Sequence, residues 1–398
     1  MKTQACLLAL LALAAAPAPA PEACELEAAD GRVFQGTVSF LESGAVRIGA
    51  GATPVAWARV YELRRPGARA GLPPPTAAVV ETASGDRLVG PLEGDAKGLR
   101  IRVAEGGTVP LAPPAVRWIR FHRRDRTPAM DIAMEKALAD PGLRDLLLAV
   151  DEKGETVTIP GAIESFGKTS LKFRREEKVR EVFYDRLAAA VLARPAETKA
   201  LPALACRAFL RNGSILTGAW RGSEKGPALD VAGAGTVPLG PDEWIRILSL
   251  KGAFDSLSDR MPARVSEASA LGEDLPRLSR NRAIAGGPIS IRGRVHDKGL
   301  GLRPKVSAEW NLGGHASRLV GWAGLDDSAG PGSRAVLSIE ADGRRLFGPQ
   351  TLSAADDSVR IDCDLSGAKA LRIECDFAEG SLFRSRVAIG SARLLPRE

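Results

Sequence analysis

Five side chains in the C-terminal third could do recognition chemistry. A tryptophan, Trp322, sits on a strand whose other face carries Leu319, Gly321, Ala323 and Leu325, so its ring points away from the apolar side. An aromatic face beside charged or amide groups is how sugars are commonly held, the ring packing on C–H bonds and the polar groups bonding hydroxyls. His296 and Arg303 flank the turn Lys298-Gly299-Leu300-Gly301 and are candidate polar partners, although an exposed loop position is the default for both. Asp326 and Asp327 precede the loop "SAGPGS" and could offer oxygens to a structural calcium ion. Their competing and preferred role is to fix the turn by accepting backbone amides. Trp310, in "SAEWNL", reads as a core residue.

Catalytic constellations are not found. The chain has no HExxH, GxSxG, P-loop or GxGxxG pattern. Its three histidines, His122, His296 and His315, pair with no nucleophile locally. Two carboxylates distant in sequence could still form a glycosidase site, but such clefts are rich in Trp and Tyr, and aromatics are only 5% here. The expectation is a non-enzymatic protein, a hydrolase with a dispersed site being the remote rival.

The strands that hold these residues belong to an all-β chain. Around Ile284 the text becomes seven or eight short alternating strands separated by turn signals, the pattern of a β-sandwich spanning 253–398, with Val336, Ile339, Leu371 and Ile373 adding apolar faces. Upstream, one idea recurs four times, over 21–70, 76–126, 146–195 and 201–252. A strand meets a tight Gly turn (Asp30-Gly31, Gly85-Asp86, Asn212-Gly213), and further strands follow. A closing strand such as "TPVAWARVYELRR" or "TVPLGPDEWIRILSL" ends each copy. These resemble small, bent SH3-like or Sm-like barrels. Asn212-Gly213-Ser214 is formally a glycosylation sequon, yet the hairpin turn accounts for it. One helix is expected within the connector 127–145, capped by Thr127-Pro128, with Ile132, Leu138 and the methionines on its apolar face. It should pack across a barrel junction.

The first twenty residues, "MKTQACLLALLALAAAPAPA", have the three-part pattern of a secretory signal peptide with cleavage near Ala20. Pro21 and Glu22 before Cys24 oppose a lipidation signal, and no later run is long enough for a membrane helix. An exported protein is expected, in the periplasm, at the cell surface or secreted. Net charge is +7 with both signs interleaved; the one basic cluster, "RFHRRDR" at 120–126, lacks the aromatic stripe of a nucleic-acid site. Cys24, Cys206, Cys363 and Cys375 show no metal spacing. Cys363 and Cys375 could form a disulfide if their strands are neighbours, or remain buried thiols.

The order of motifs from 253 to 398 resembles the NPCBM/NEW2 family, carbohydrate-binding modules found beside family 98 glycoside hydrolases. The resemblance rests on Gly286-Gly287-Pro288, Gly293, Lys298-Gly299-Leu300-Gly301, Leu312-Gly313-Gly314, Gly324-Leu325-Asp326-Asp327, Asp342-Gly343, Asp364-Leu365-Ser366-Gly367 and Ala392-Arg393-Leu394. It implies a galactose-binding-like jelly-roll sandwich and a glycan or glycoconjugate as partner. Two departures imply an altered or lost specificity: Arg303 stands where the family usually has histidine, and Arg386, Ile389 and Gly390 stand near the final strand where it usually has an acid and a tryptophan. The rival reading is an envelope scaffold whose partners are envelope proteins.

Overall fold

The structure, a computed structural model, describes residues 23–74, 77–95, 98–104, 107–121, 127–140, 142–151, 153, 155–193, 200–268, 277–381 and 384–397. The expected signal peptide and most of the basic cluster lie outside these residues.

Each repeat closes on itself by pairing its first strand with its last. Cys24–Ala28 pairs with Val60–Arg64, Ala78–Thr82 with Val116–Arg120, Asp145–Val150 with Leu187–Val191, and Ala205–Leu210 with Trp244–Ser249. All four pairings carry a register shift near one end, the β-bulge that bends a strand far enough to close a small barrel. In the first three copies a single 3-10 turn precedes the last strand: Trp57–Arg59, Pro113–Ala115 and Tyr184–Arg186. The hairpin glycines Gly31, Gly85 and Gly213 take φ of +81°, +82° and +86°, a region open to glycine at little cost. The chain is therefore all-β, with four small barrels of SH3-like strand order ahead of a sandwich.

The barrels are joined edge to edge into one sheet whose spatial order is third, second, fourth, first. Last strand meets last strand between the third and second barrels (Trp118 opposite Val191) and between the fourth and first (Ile247 opposite Leu63). Second strand meets second strand between the second and fourth, at Arg87 opposite Ile215. At this last junction the Asn212 amide donates to the carbonyls of Val89 and Val103, 3.1 and 2.7 Å away. The sequon nitrogen is thus engaged in the fold, as the turn reading requires. Trp220 of the fourth barrel stacks on Trp57 of the first at 3.7 Å, and its indole N–H donates to Gly44 O at 2.8 Å.

The helix Pro128–Ala139 starts at Thr127, whose hydroxyl accepts the amide of Met130. It covers the junction of the second and third barrels, burying Met130, Met134 and Ala137 with Val79, Trp118, Leu148 and Val191. Ile132 corrects the expected face: it is 65% exposed, because the buried stripe runs through positions 130, 134 and 137 and leaves 132 on the far side. Ile132→Lys should change stability by less than about 0.5 kcal/mol, whereas Met134→Lys, which buries an unpaired ammonium, should cost several times that; paired thermal melts decide it.

The C-terminal strands form a two-layer sandwich. One sheet has the order Leu278–Arg280, Gly299–Leu302, Val387–Pro396, Ala316–Leu325, Val359–Asp364; the other is Arg264–Glu267, Val306–Asn311, Ala370–Phe377, Arg334–Ala341, Arg344–Ser353. Leu319, Ala323, Leu325, Ile339, Leu371 and Ile373 fill the space between them, with Trp310, whose N–H donates to Arg260 O. Val336 lies on the outer face, one strand position out of phase with Leu337 and Ile339. Cys363 and Cys375 sit in opposite sheets as buried free thiols, and Cys24 and Cys206 are buried in the barrels. Burial first, and then the neighbouring carboxylates Asp362 and Asp376, push the Cys363 and Cys375 thiols up, Cys363 to about 11.

Candidate functional site

The five candidate residues fall at two separate levels of the sandwich. Along the central strands Trp322 pairs with Gly390, which pairs with Gly299, while Leu325 pairs with Val387, which pairs with Leu302. Trp322 and His296 belong to the first level: the His296 ring lies against Gly390, where any Cβ would come within 2.4 Å of it. Arg303 follows Leu302 and lies at the second level, with Asp326 and Asp327. Register alone separates the two levels by three residues, about 10 Å.

Asp326 and Asp327 organise a turn. Asp326 accepts the amides of Ser290 (3.2 Å) and Ser328 (3.0 Å), and Asp327 accepts those of Arg292 and Gly293, both at 2.8 Å, and the Ser290 hydroxyl. Together they tie the hairpin Ile289–Ile291/Arg294–His296 to the loop that follows Ala316–Leu325. Among the described residues no cluster of His, Cys, Asp and Glu has metal-binding geometry.

The other level is where the sandwich meets the first barrel. The outer face of the strand Ala316–Leu325 lies on the barrel's first strand and turn, so closely that a Cβ on Gly31 would come within 2.5 Å of Val320. Trp322 is half-buried there, its indole N–H 3.4 Å from a Glu27 oxygen. His296, expected in an exposed loop, is only 3% exposed. Its Nδ1 shares a hydrogen with the Ser391 hydroxyl at 2.8 Å. Burial first, and then the Arg294 guanidinium, lower its pKa to about 3, so the ring is neutral.

Around these two residues lies a charge network that no local motif announces. Arg393, in the last strand, is 0% exposed. It donates to Ala29 O (2.6 Å), Ser391 O (3.0 Å), Ala28 O (2.9 Å) and Glu27 Oε1 (2.8 Å), and its guanidinium lies 4.1 Å from the centre of the Tyr61 ring. Arg294 reaches both Glu27 at 2.5 Å and Glu62 at 2.9 Å. Arg246 pairs with Glu62 and Asp297, and Arg64 with Glu25. Glu25, Glu27, Glu62 and Asp297 thus face Arg64, Arg246, Arg294 and Arg393, and the buried seam is neutral overall. Burial alone would raise Glu62, but Arg246, Arg294 and Arg64 together hold it below the usual carboxylate range. Arg294 stands the other way: burial lowers its pKa, and Glu62, Glu27 and Glu25 more than restore it.

Sequence reading singled out Trp322 and His296 but passed over Arg294, Arg393, Glu27 and Glu62. The available signal was a charged residue at alternate positions of otherwise apolar strands, "CELEA" and "SARLL". A charge on the outward face of a strand ordinarily reads as solvated, and only the docking of two domains buries it. Glu27 and Glu62 share the Arg294 guanidinium. A carboxyl acting as general acid needs a raised pKa, and Glu62 has a lowered one.

This geometry defines a jelly-roll sandwich seated on a row of small barrels, with a half-buried tryptophan at the seam. Residues 257–394, the C-terminal sandwich, match the family model of the NPCBM/NEW2 domain. Among solved structures, the chain is similar to CBM51 from Clostridium perfringens GH95 in complex with methyl-galactose, at 17% identity over 35% of this chain and 99% of that one, TM-score 0.32. It is similar also to the tandem CBM51 modules of the Streptococcus pneumoniae family 98 glycoside hydrolase Sp3GH98, at 10% identity over 94% and 88%, TM-score 0.32. A third likeness is to CBM51-2 in complex with GlcNAc and INT domains from Clostridium perfringens ZmpB, at 15% identity, TM-score 0.32. It covers 42% of this chain and about a third of that one. No curated protein matches the chain.

The seam carries a pH dependence with a definite sign. His296 titrates at about 6.5 when unfolded and at about 3 when folded, so below pH 6.5 the unfolded state binds the extra proton. The stability that this neutral ring contributes is whole above pH 6.5 and lost as pH falls, by at most about 1.4 kcal/mol per pH unit. The Glu62 carboxylate acts in the same direction at lower pH. Melting temperature should therefore drop between pH 6.5 and 4.5, and His296→Asn should flatten the drop. Equal slopes in the two proteins would contradict this assignment.

Proposed function

We propose that this protein is an exported, non-catalytic carbohydrate- or glycoconjugate-binding protein, with its sugar contact at the seam beside Trp322. The observation that carries the reading is the match of the sandwich to the NPCBM/NEW2 family model. The seam geometry supports it: the Trp322 ring is half-buried rather than sealed in the core, with Arg294 5.9 Å from its centre and Arg360 opposite it in the next strand. Those guanidiniums offer donors to sugar hydroxyls around an aromatic face. In this reading His296 is the neutral floor under that face, Arg303 takes no part, and Asp326 and Asp327 hold the turn without a calcium ion. The signal-peptide pattern supports export, and no helix among the described residues is long and apolar enough to cross a membrane.

A second reading, an envelope scaffold that binds proteins, is favoured by one observation: the sandwich spends much of its outward sheet face on docking to the first barrel. A glycan-array screen of the full chain, with calcium and with chelator, separates the two. Binding should disappear in Trp322→Ala, survive in Arg303→Ala, which lies at the other level of the sandwich, and be indifferent to calcium. Silence across a broad array, from protein shown to be folded, would overturn the sugar reading in favour of the scaffold.

A further inference from the structure

The three junctions of the barrel row alternate. Last strands pair between the third and second barrels, second strands between the second and fourth, and last strands again between the fourth and first. By that alternation the barrels at the two ends of the row each retain an unused second strand. In the second and fourth barrels this edge is covered by their junction, where Val89 N–H donates to the Ser214 hydroxyl at 2.9 Å and the Asn212 amide donates to Val89 O at 3.1 Å.

In the third barrel the equivalent edge is the first half of the strand Thr156–Phe166. Residues 156–160, "TVTIP", pair with Asp145–Val150 on one side, and the second half of the strand turns away to pair with Ser170–Arg175. The segment is rich in β-branched residues, carries no charge, and is largely exposed, Val157 by 38%. Exposed edges normally carry a charge or a bulge that blocks pairing with another chain; this one carries neither, and its only ladder-breaking residue, Pro160, stands at its end. The counterpart in the first barrel, Val33–Gly36, is a shorter strand ending in a glycine at φ +151°.

We propose that residues 156–160 pair antiparallel with the same residues of a second copy of this chain, forming a two-fold dimer through the third barrels. The pairing repeats between molecules what Arg87 and Ile215 do within one, also antiparallel and also between second strands. An antiparallel match of a segment with itself satisfies a two-fold axis, and such an interface closes at two copies. This proposal is independent of sugar binding.

Sedimentation equilibrium of the full chain tests it. The expected mass is about twice that of one chain. Thr158→Lys, which sets like charges across the axis at an exposed position, should return the mass to that of a monomer with an unchanged melting temperature. Val179→Lys, on the strand Lys178–Phe183 that ends the sheet in the same barrel, should leave the dimer intact. Amide protection of 156–160 should also rise with protein concentration. A monomeric wild type would overturn the proposal. So would a mass that grows without limit as head-to-tail pairing predicts, or a dimer dissociated by Val179→Lys and not by Thr158→Lys.

Discussion

A guanidinium sealed from water is tolerable only when every donor finds an acceptor and the charge finds a partner. Arg393 meets that condition by borrowing from another domain. The carbonyls of Ala28 and Ala29, the carboxylate of Glu27 and the ring of Tyr61 all belong to the first barrel, while the side chain belongs to the last strand of the sandwich. Withdrawing either domain leaves Arg393 or Glu27 short of partners. Their pairing therefore fixes where the sandwich sits, and the position of Trp322, His296 and Arg294 follows from it. Buried ion pairs often add little net stability against an apolar substitute. What this one supplies is register: apolar surfaces can slide over one another, but a network of four acids and four arginines is satisfied in one arrangement.

The barrel row is built on a related constraint. A five-stranded barrel of some fifty residues buries too little apolar surface to stand securely alone. It also leaves strand edges with unpaired amides and carbonyls. Joining edges answers both needs, since one apolar core then runs through all four copies, from Leu26 and Trp57 in the first to Phe173 in the third. The spatial order, third-second-fourth-first, differs from chain order because each junction matches like edges rather than sequence neighbours.

Much of this was legible in the sequence. The turn glycines, the four repeats, the helix cap at Thr127 and the inward residues of the strand around Leu319 all depend on local patterns, and local pattern is what one sequence carries. The orientation of Ile132 was missed because the helix has apolar residues on more than one side and the choice between faces lies with the surface it meets. The candidate site divided in the same way. Trp322 could be placed opposite the core face by strand alternation alone, but its neighbours could not, since Glu27 lies 295 residues away in the chain. His296 read as a loop residue for the same reason: its ring lies against Gly390 and Ser391 of the last strand rather than against its own chain neighbours.

The claim that Arg393 and Glu27 fasten the sandwich to the first barrel is tested most directly by a double-mutant cycle, with Glu27→Leu, Arg393→Leu and the double variant unfolded in denaturant. Each single change should cost about 3–5 kcal/mol, because it strands the other charge in a buried site. The double variant should cost clearly less than their sum, with a coupling energy above about 1 kcal/mol. Costs that simply add, or single variants as stable as the wild type, would show that the pair is incidental and that the sandwich is held in place by something else.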